Sequence, residues 1–407
     1  MAGPLTNIRV LDLTRVLAGP WATQILADFG AEVIKIEKPG EGDDTRGWGP
    51  PFVTNPDGSP GDAAYYLSAN RGKQSVAIDM AKPEGQKLLR ALAARSDVVM
   101  ENFKVGGLRK YGLDHESLKA VNPGLIYCSI TGFGQTGPYA QRAGYDFMIQ
   151  GMGGIMSITG LPDGVPGGEP VKAGVAFADI FTGLYATIGV LAALHHRERT
   201  GEGQYLDLAL LDTQVAVLAN QALNFLVGGT APRRLGNAHP NIVPYQTFAT
   251  ADGFIIIAVG NERQFREYTR IAGVPEAADD PRFRTNRDRV ANREALIALL
   301  APPMKRRRTA EWVAALEAAA VPCGPINTID QVFADPQVKA RGLDVSLTRA
   351  DGTETPGVAN PVRFSATPVE YARAAPRLGD ATEDVLGRIL GLTREDIGKL
   401  RDSASIG

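Results

Sequence analysis

The opening forty residues constrain this chain more than any other stretch. Residues 8–13 (IRVLDL) alternate and are β-prone, Gly19-Pro20 opens the apolar segment WATQILADF, Gly30 follows it, and residues 32–37 (EVIKIE) form a second β-prone run. Proline in a first helical turn and glycine just past the last turn is the expected asymmetry of a helix. Strand, helix and strand with links this short make a βαβ unit, whose two strands pair in parallel. The pattern repeats as helix 83–95, strand 97–101, helix 115–120 and strand 124–129. The expectation is a doubly wound α/β fold. Two Gly- and Pro-rich stretches, 38–72 and 132–173, read as long loops, and long loops at the ends of such a sheet are where sites are built.

A long helix is expected over roughly 178–198, stopped by Thr200-Gly201, with Arg197 and Arg199 suited to its negative end. A strand at 204–208 and an apolar helix over 210–226 follow. After GGTAPRRLGNAHPN the style changes. Residues 245–250 and 254–259 flank Ala251-Asp252-Gly253, a hairpin signal, and helices follow around 262–272, 290–301 and 308–319. The chain divides into residues 1–225, a large N-terminal part; 226–325, a smaller α+β domain; and 326–407, a linker and tail. The tail shows two strands around Asp351-Gly352 and one helix near 380–390. It has no core of its own and is expected to pack back on the first domain.

Composition narrows the class. A chain of 407 residues is two or three domains' worth, and 44% hydrophobic with 22% charged residues is ordinary for globular proteins. The 43 basic residues balance 45 acidic ones, which argues against a dedicated nucleic-acid or anionic-membrane binder. Two cysteines rule out a disulfide scaffold and fit a reducing cytoplasm. The start, MAGPLTNIRVLDL, lacks a basic stretch ahead of an apolar core and reads as no signal peptide. The longest uncharged run, 180–194, is shorter than the ~20 residues that span a bilayer, so it reads as a helix buried in a protein core. With four histidines and these two cysteines, no metal site is expected.

Common catalytic motifs are missing. There is no GxxxxGK[ST], and the first βα turn reads TRVLAGP rather than GxGxxG, which disfavours a nicotinamide dinucleotide. No GxSxG elbow occurs. The adjacent His195 and His196 face different sides of a helix. Asp179 stands out. It follows the small-residue run AGVAFA and precedes IFTGLYATIGVLAAL, so it lies at a helix N-terminus. The dipole and free N–H groups there are expected to keep it ionised even when partly buried, although a plain N-cap is the commoner role for Asp. Several cations follow strand ends: Arg15, Lys35, Lys38, Arg46, Arg71, Lys73, Arg109 and Lys110. Three or four of them converging would suit a polyphosphate; dispersed, they are solvated surface. In GYDFMIQGMGGIMSITG (144–160), Gly153-Gly154 reads as a close approach to a ligand, a lid or a structural turn.

Taken together and in order, the blocks IRVLDLTRVLAGPWATQILADFGAEVIKIEKPGEGDDTRGW, NRGKQSVAIDM, DVVMENF, SITGFGQTGPYAQRAGYDF, ADIFTG, RTGEGQ and VPCGPI resemble the family III CoA-transferases, from residue 6 to about 390. The resemblance implies a Rossmann-like large domain built from both chain ends, a small central domain, and two chains interlinked like rings in a homodimer. It implies that Asp179, in Asp-Ile-Phe-Thr-Gly, is the nucleophile. The substrates would be an acyl-CoA and a carboxylic acid, with no nucleic-acid or membrane partner. For coenzyme A it implies Val16, Leu17 and Ala18 along the pantetheine, Lys38 near the adenine or phosphates, Ile78 as an apolar contact, Asn102 and Phe103 bonding and packing on the cofactor, and Lys110 as a basic contact.

Leu17 stands where formyl-CoA transferases carry Gln, and Gly260-Asn261-Glu262-Arg263 replaces their glycine run, which puts formate and oxalate in doubt as substrates. GNAHPNIVPYQTF (236–248) and GNERQF (260–265) are instead similar to the subgroup that moves CoA between dicarboxylates such as succinate and glutarate. A dicarboxylate needs a cation or donors for its far carboxylate, for which Arg15, Arg46 and His239 are candidates. Two alternatives remain. An α-methylacyl-CoA racemase of the same superfamily needs a His where this chain has Tyr145, beside Asp146, and tyrosine is a poor base at neutral pH. A non-catalytic acyl-CoA-binding protein would be expected to have lost Asp179.

Overall fold

The computed structural model describes residues 3–407, which divide into two compact units. The first joins the residues up to Ile155 with Ala173–Leu223 and Pro336–Gly407. The second joins Met156–Lys172 with Asn224–Asp335.

The first unit is built on a parallel sheet of β1 (Arg9–Asp12), β2 (Glu32–Glu37), β3 (Lys73–Ala77), β4 (Val98–Glu101), β5 (Ile126–Thr131) and β6 (Tyr205–Ala209), in the order β3-β2-β1-β4-β5-β6. Val10, Leu11, Val33, Ile34, Val98 and Val99 are all fully buried, so these strands are apolar on both faces, as a sheet covered on both sides requires. One face packs Val10, Val33, Val98 and Ile126 against Ala22 and Leu26 of α1 (Ala18–Asp28). The other packs Leu11, Ile34, Val76 and Val99 against Leu88, Leu89 and Leu92 of α2 (Pro83–Ala93). The chain winds outward from β1 through β2 to β3, then crosses to β4 on the other side of β1. The loops after β1 and β4 therefore flank the switch point, where open α/β sheets bind ligands.

After α3 (His115–Lys119) come α4 (Asp146–Met152), α5 (Phe177–Thr200) and α6 (Leu210–Ala216). By length and composition α5 is apolar enough to cross a membrane. Its Ala178, Ala186, Val190, Ala193 and Leu194 lie in the core, whereas Leu184, Tyr185 and Ile188 are exposed, so it is buried on one side rather than all round. The single helix expected over 210–226 is broken: α6 ends at Ala216 and a new helix begins at Ala219, whose φ of 46° is left-handed.

The second unit has its own core. The antiparallel strands β7 (Tyr245–Ala249) and β8 (Phe254–Ala258) pack Phe248, Ile255 and Ile257 on Phe265 and Tyr268 of α7 (Glu262–Ala272), on Leu296 and Leu300 of α8 (Arg293–Met304) and on Trp312 of α9 (Thr309–Ala318). β9 (Cys323–Pro325) pairs on the far side of β8. Segments 156–172 and 326–335, read from the sequence as part of the large domain and of the tail, cluster with this unit.

The tail returns to the first unit. β10 (Asp344–Thr348) and β11 (Glu354–Val358) form a hairpin, and two helices follow, α10 (Thr382–Leu390) and α11 (Arg394–Asp402), where the sequence showed one. Val385, Leu386, Ile397 and Ile406 complete the core on the α2 side of the sheet.

Beneath the C-terminal edge of the sheet lies a network of buried charge. Lys35 Nζ donates to Asp43 at 2.8 Å and to the Thr14 carbonyl at 3.0 Å. Lys73 Nζ donates to Asp12 at 3.1 Å and to the Pro20 carbonyl at 3.0 Å, and all four ionic side chains are sealed from solvent. Burial alone would raise Asp43, but Lys35 and bonds from Thr45 hold it down at about 2. Its stabilisation is present above the unfolded value of 3.8 and is lost as pH falls through about 2. Removing one partner of such a pair strands the other charge. Lys35→Met is therefore expected to lower unfolding free energy by ~3–5 kcal/mol in urea titrations at pH 7, while Lys35→Met with Asp43→Leu recovers much of the loss.

Candidate active site

Asp179 sits in the first turn of α5 and is largely buried. It is not the N-cap. Asp146 does that work from α4: its Oδ1 accepts the N–H of Ala178 at 2.8 Å and that of Asp179 at 3.4 Å. Gln150, fully buried, fixes Asp146 by donating to its Oδ2 at 2.7 Å and ties down the incoming segment by accepting the Ala173 N–H at 2.9 Å. Among the described residues no donor reaches the Asp179 carboxylate. Burial, and after it the charge of Asp146, push Asp179 up to about 7. The helix terminus thus does not keep the group firmly ionised, as the sequence reading expected. Its free N–H groups are aimed at Asp146 instead, and a second carboxylate stands nearby.

Glycine in the ADIFTG block has a packing reason. A Cβ on Gly183 would lie 2.7 Å from the Ala18 carbonyl oxygen and 3.1 Å from Trp21 Cδ1, so only glycine lets α5 press onto the start of α1. Thr182 donates its hydroxyl back to Ala178 at 2.7 Å. Asp179 thus lies one turn of α5 before the point where that helix meets the start of α1. Trp21, packed at the same contact, has an indole N–H with no partner among the described residues. Tyr65 belongs here too: burial and then the charges of Asp179, Asp146 and Asp43 raise its phenol. No sequence signal marks Tyr65, because it lies in a stretch that reads as loop.

Of the remaining candidates, Leu17 at the end of the loop after β1 and Ala18 at the start of α1 are buried, and Val16 and Phe103 are half-buried. Lys38, after β2, is exposed and paired with Glu41. Lys110 is exposed over the Tyr111 ring. Tyr145 is exposed next to the capping Asp146. Arg15 is exposed, with only a loose 3.5 Å pairing to Asp44. Asn102 spends its amide on the backbone of Arg15, accepting the N–H at 2.9 Å and donating to the carbonyl at 2.7 Å.

Several expectations are corrected. Arg46 bonds Glu37 at 2.7 Å, Asp62 at 2.8 Å and the Tyr66 hydroxyl at 2.7 Å, so its guanidinium is structural and holds no substrate carboxylate. Lys35, Lys73 and Arg71 are likewise buried in ion pairs. Ile78 is only 1% exposed, bridged to Ile406 in the core, so its side chain offers no surface to a ligand. A Cβ on Gly153 would lie 2.2 Å from Gln214 Cγ, which makes that glycine a packing position rather than a lid hinge, while Gly154 has φ 87°. His239 lies in the second unit, where its Nδ1 accepts the Asn241 N–H at 3.1 Å and its ring stands 5.2 Å from that of Tyr245. One buried carboxyl escaped the sequence reading: Glu101, at the end of β4, accepts the Phe103 N–H at 2.8 Å and the Ser129 hydroxyl, and burial raises it to about 7.

The profile of CoA-transferase family III matches residues 5–382. The chain belongs to that family. It is 56% identical over 391 residues to a succinate–glutarate CoA-transferase of Agrobacterium fabrum, covering 96% of this chain and 97% of the relative. It is 45% identical to the succinyl-CoA:glutarate CoA-transferase of Homo sapiens over 98% of this chain and 88% of that one. Among solved structures, a CAIB/BAIF family protein from Brucella suis superposes with a TM-score of 0.84 at 54% identity, covering 96% of this chain and all of the other. This CoA-transferase is therefore an enzyme with a mixed α/β fold on a parallel central sheet, and CoA thioesters are its substrates.

The raised Asp179 gives a stability test. Because its folded value lies above 3.8, folding favours the proton, and stability falls as pH rises from 3.8 through about 7. Asp179→Asn is expected to raise the melting temperature at pH 8, and the gain should shrink as pH approaches 4. A gain independent of pH would mean that Asp179 ionises freely in the folded enzyme.

Proposed function

We propose that this CoA-transferase moves CoA from succinyl-CoA to glutarate, or to a dicarboxylate of similar length, with Asp179 as the nucleophile. The observation that carries the proposal is the placement of Asp179: a largely buried carboxylate that no donor reaches among the described residues, in the first turn of a helix that Gly183 lets press onto the start of α1, which follows β1 at the switch point of the sheet. The two relatives named for succinate and glutarate span almost the whole chain, which supports the substrate class.

The chemistry follows from two exchanges at one carboxylate. An Asp179 oxygen attacks the succinyl-CoA carbonyl, the C–S bond breaks, and CoA leaves as thiolate from a mixed anhydride. The thiolate attacks the Asp179 carbonyl, giving an aspartyl-CoA thioester and releasing succinate. A glutarate carboxylate then attacks this thioester, forming a second anhydride. The returning thiolate attacks the glutaryl carbonyl, which yields glutaryl-CoA and restores Asp179. Each step conserves the activated acyl bond, provided that water is kept from the anhydride. A poorly solvated carboxylate is also the stronger nucleophile once ionised, since no hydrogen bond must be broken before attack.

Val16, Leu17 and Ala18 are proposed to line the pantetheine arm, Phe103 to pack on CoA, and Lys38 and Lys110 to face its phosphates. Arg15 is the cation proposed for the far carboxylate of the substrate. The exposed Leu184, Tyr185 and Ile188 of α5 support a homodimer, and the two free cysteines support a reducing cytoplasm.

Trapping tests the mechanism. Incubation with succinyl-CoA followed by hydroxylamine or borohydride should leave a modification confined to Asp179 by mass spectrometry, absent in Asp179→Ala. No modification with succinyl, glutaryl, acetyl or formyl donors, together with deuterium exchange at the α-carbon of a 2-methylacyl-CoA, would replace the transferase reading with the racemase. The pH–rate profile gives a second test. The attacking group must be ionised, so kcat/KM for succinyl-CoA should fall as pH drops through about 7. Asp146→Asn removes the smaller of the two causes and should move that limb to lower pH, leaving it above 3.8 because burial remains.

A further inference from the structure

Val16 is a β-branched residue with a φ of 69°. Left-handed backbone at such a residue is strained by ~1–3 kcal/mol and persists only where its surroundings over-determine it. The surroundings here do so with side chains. Asn102, the residue after β4, grips Arg15 from both sides: its Oδ1 takes the Arg15 N–H at 2.9 Å and its Nδ2 gives to the Arg15 carbonyl at 2.7 Å. The next amide, that of Val16, points at both oxygens of Asp43, each at 3.3 Å. The Thr14 carbonyl before them receives Lys35. Four consecutive polar backbone groups, from the Thr14 carbonyl to the Val16 N–H, are thus held by side chains from the loop after β2, from β2 itself and from the residue after β4. Asn102 is in turn placed from below, because Glu101 accepts the N–H of Phe103 and so pins both ends of the short turn that carries it.

We infer that Asn102 is a positioning residue that holds the Arg15–Val16 backbone in the strained conformation that receives acyl-CoA, rather than a direct ligand of CoA. The inference rests on the proposed role of the loop after β1. It explains why both ends of the Asn102 amide face the chain and why a valine tolerates a glycine-like conformation at the switch point. It also names the pairing that fixes the loop: a side chain after β4 reaching across to the loop after β1, the two neighbouring parallel strands at which the strand order reverses.

A double-mutant comparison tests it. Asn102→Ala is made alone and in the Val16→Gly background, and each protein is assayed for KM and kcat with succinyl-CoA and glutarate, for CoA affinity by calorimetry, and for its melting temperature. If Asn102 acts by holding Val16, its loss in the parent raises KM for succinyl-CoA about tenfold, which is ~1.4 kcal/mol and within the strain of such a residue, with a smaller change in kcat. In the Val16→Gly background the same loss should cost less than about threefold, because glycine adopts a φ of 69° without strain. An equal loss in both backgrounds would show direct contact with CoA and overturn the inference. Should Asn102→Ala fail to fold, Asn102→Asp, which keeps the acceptor for the Arg15 N–H and loses the donor, carries the same comparison. If the parent enzyme neither transfers nor binds CoA, the proposed function fails, and the melting temperatures alone decide the strut. Non-additive shifts between positions 16 and 102 support it, and additive shifts overturn it.

Discussion

The site depends on charge buried under it. Lys35 and Lys73 rise from two adjacent strands, each neutralised by a carboxylate and each lending a further N–H to a carbonyl beyond β1, of Thr14 in the loop and of Pro20 in the first turn of α1 respectively. A parallel sheet ends in strand termini whose following loops have no ladder to hold them. Here two ammonium groups do so, and the arrangement is rigid because neither charge can move without exposing the other to an apolar interior. Asp43 ties this base to the surface, since it neutralises Lys35 on one side and meets the Val16 amide on the other. A surface cation could not perform this task; screening and side-chain freedom would leave the loop mobile.

The active carboxylate obeys the opposite logic. Asp12 and Asp43 are supplied with cations and hydroxyl donors, and both titrate low despite burial. Asp179 is given neither, with another carboxylate close by, and titrates near neutrality. Two sets of aspartates in one unit are thus driven apart by their neighbours alone. The first set is spent on architecture; the second stays reactive. The capping bond that an Asp at a helix start would ordinarily make is supplied by Asp146, which frees Asp179 from that duty.

Much of this was legible in the chain, and the parts that were not share a cause. The β1-α1-β2 unit and the start of α5 were readable because apolar spacing, proline and glycine all agree there. β3 was missed because it opens with Lys73 and Gln74, residues that read as surface yet are sealed inside by partners distant in sequence. The same blindness made Arg46 look like a substrate cation. From sequence alone, a guanidinium that grips Glu37 and Asp62 is indistinguishable from one waiting for a ligand. Ile78 failed for a related reason, since its partner Ile406 is more than three hundred residues away. Tyr65 carries no motif at all, and Glu101, though inside DVVMENF, shows no sign there of being buried; only the fold reveals their surroundings.

The way the tail closes the sheet has a bearing on how the molecule is made. Gly379 donates to Ser75, Thr382 accepts the Ala77 amide, and Ile406 bridges to Ile78, so the edge strand β3 is finished by the last thirty residues of the chain. During synthesis the N-terminal strands emerge first and α2 soon covers this face in part, yet its β3 margin stays open until residues 385–406 have been made. The second unit, whose core draws on residues 243–321, is complete by then. Completion of the large unit therefore waits for residues that follow those of the second unit. Until then an apolar margin of the sheet remains open, and such a surface exposes a chain to chaperones and to its own neighbours on the polysome.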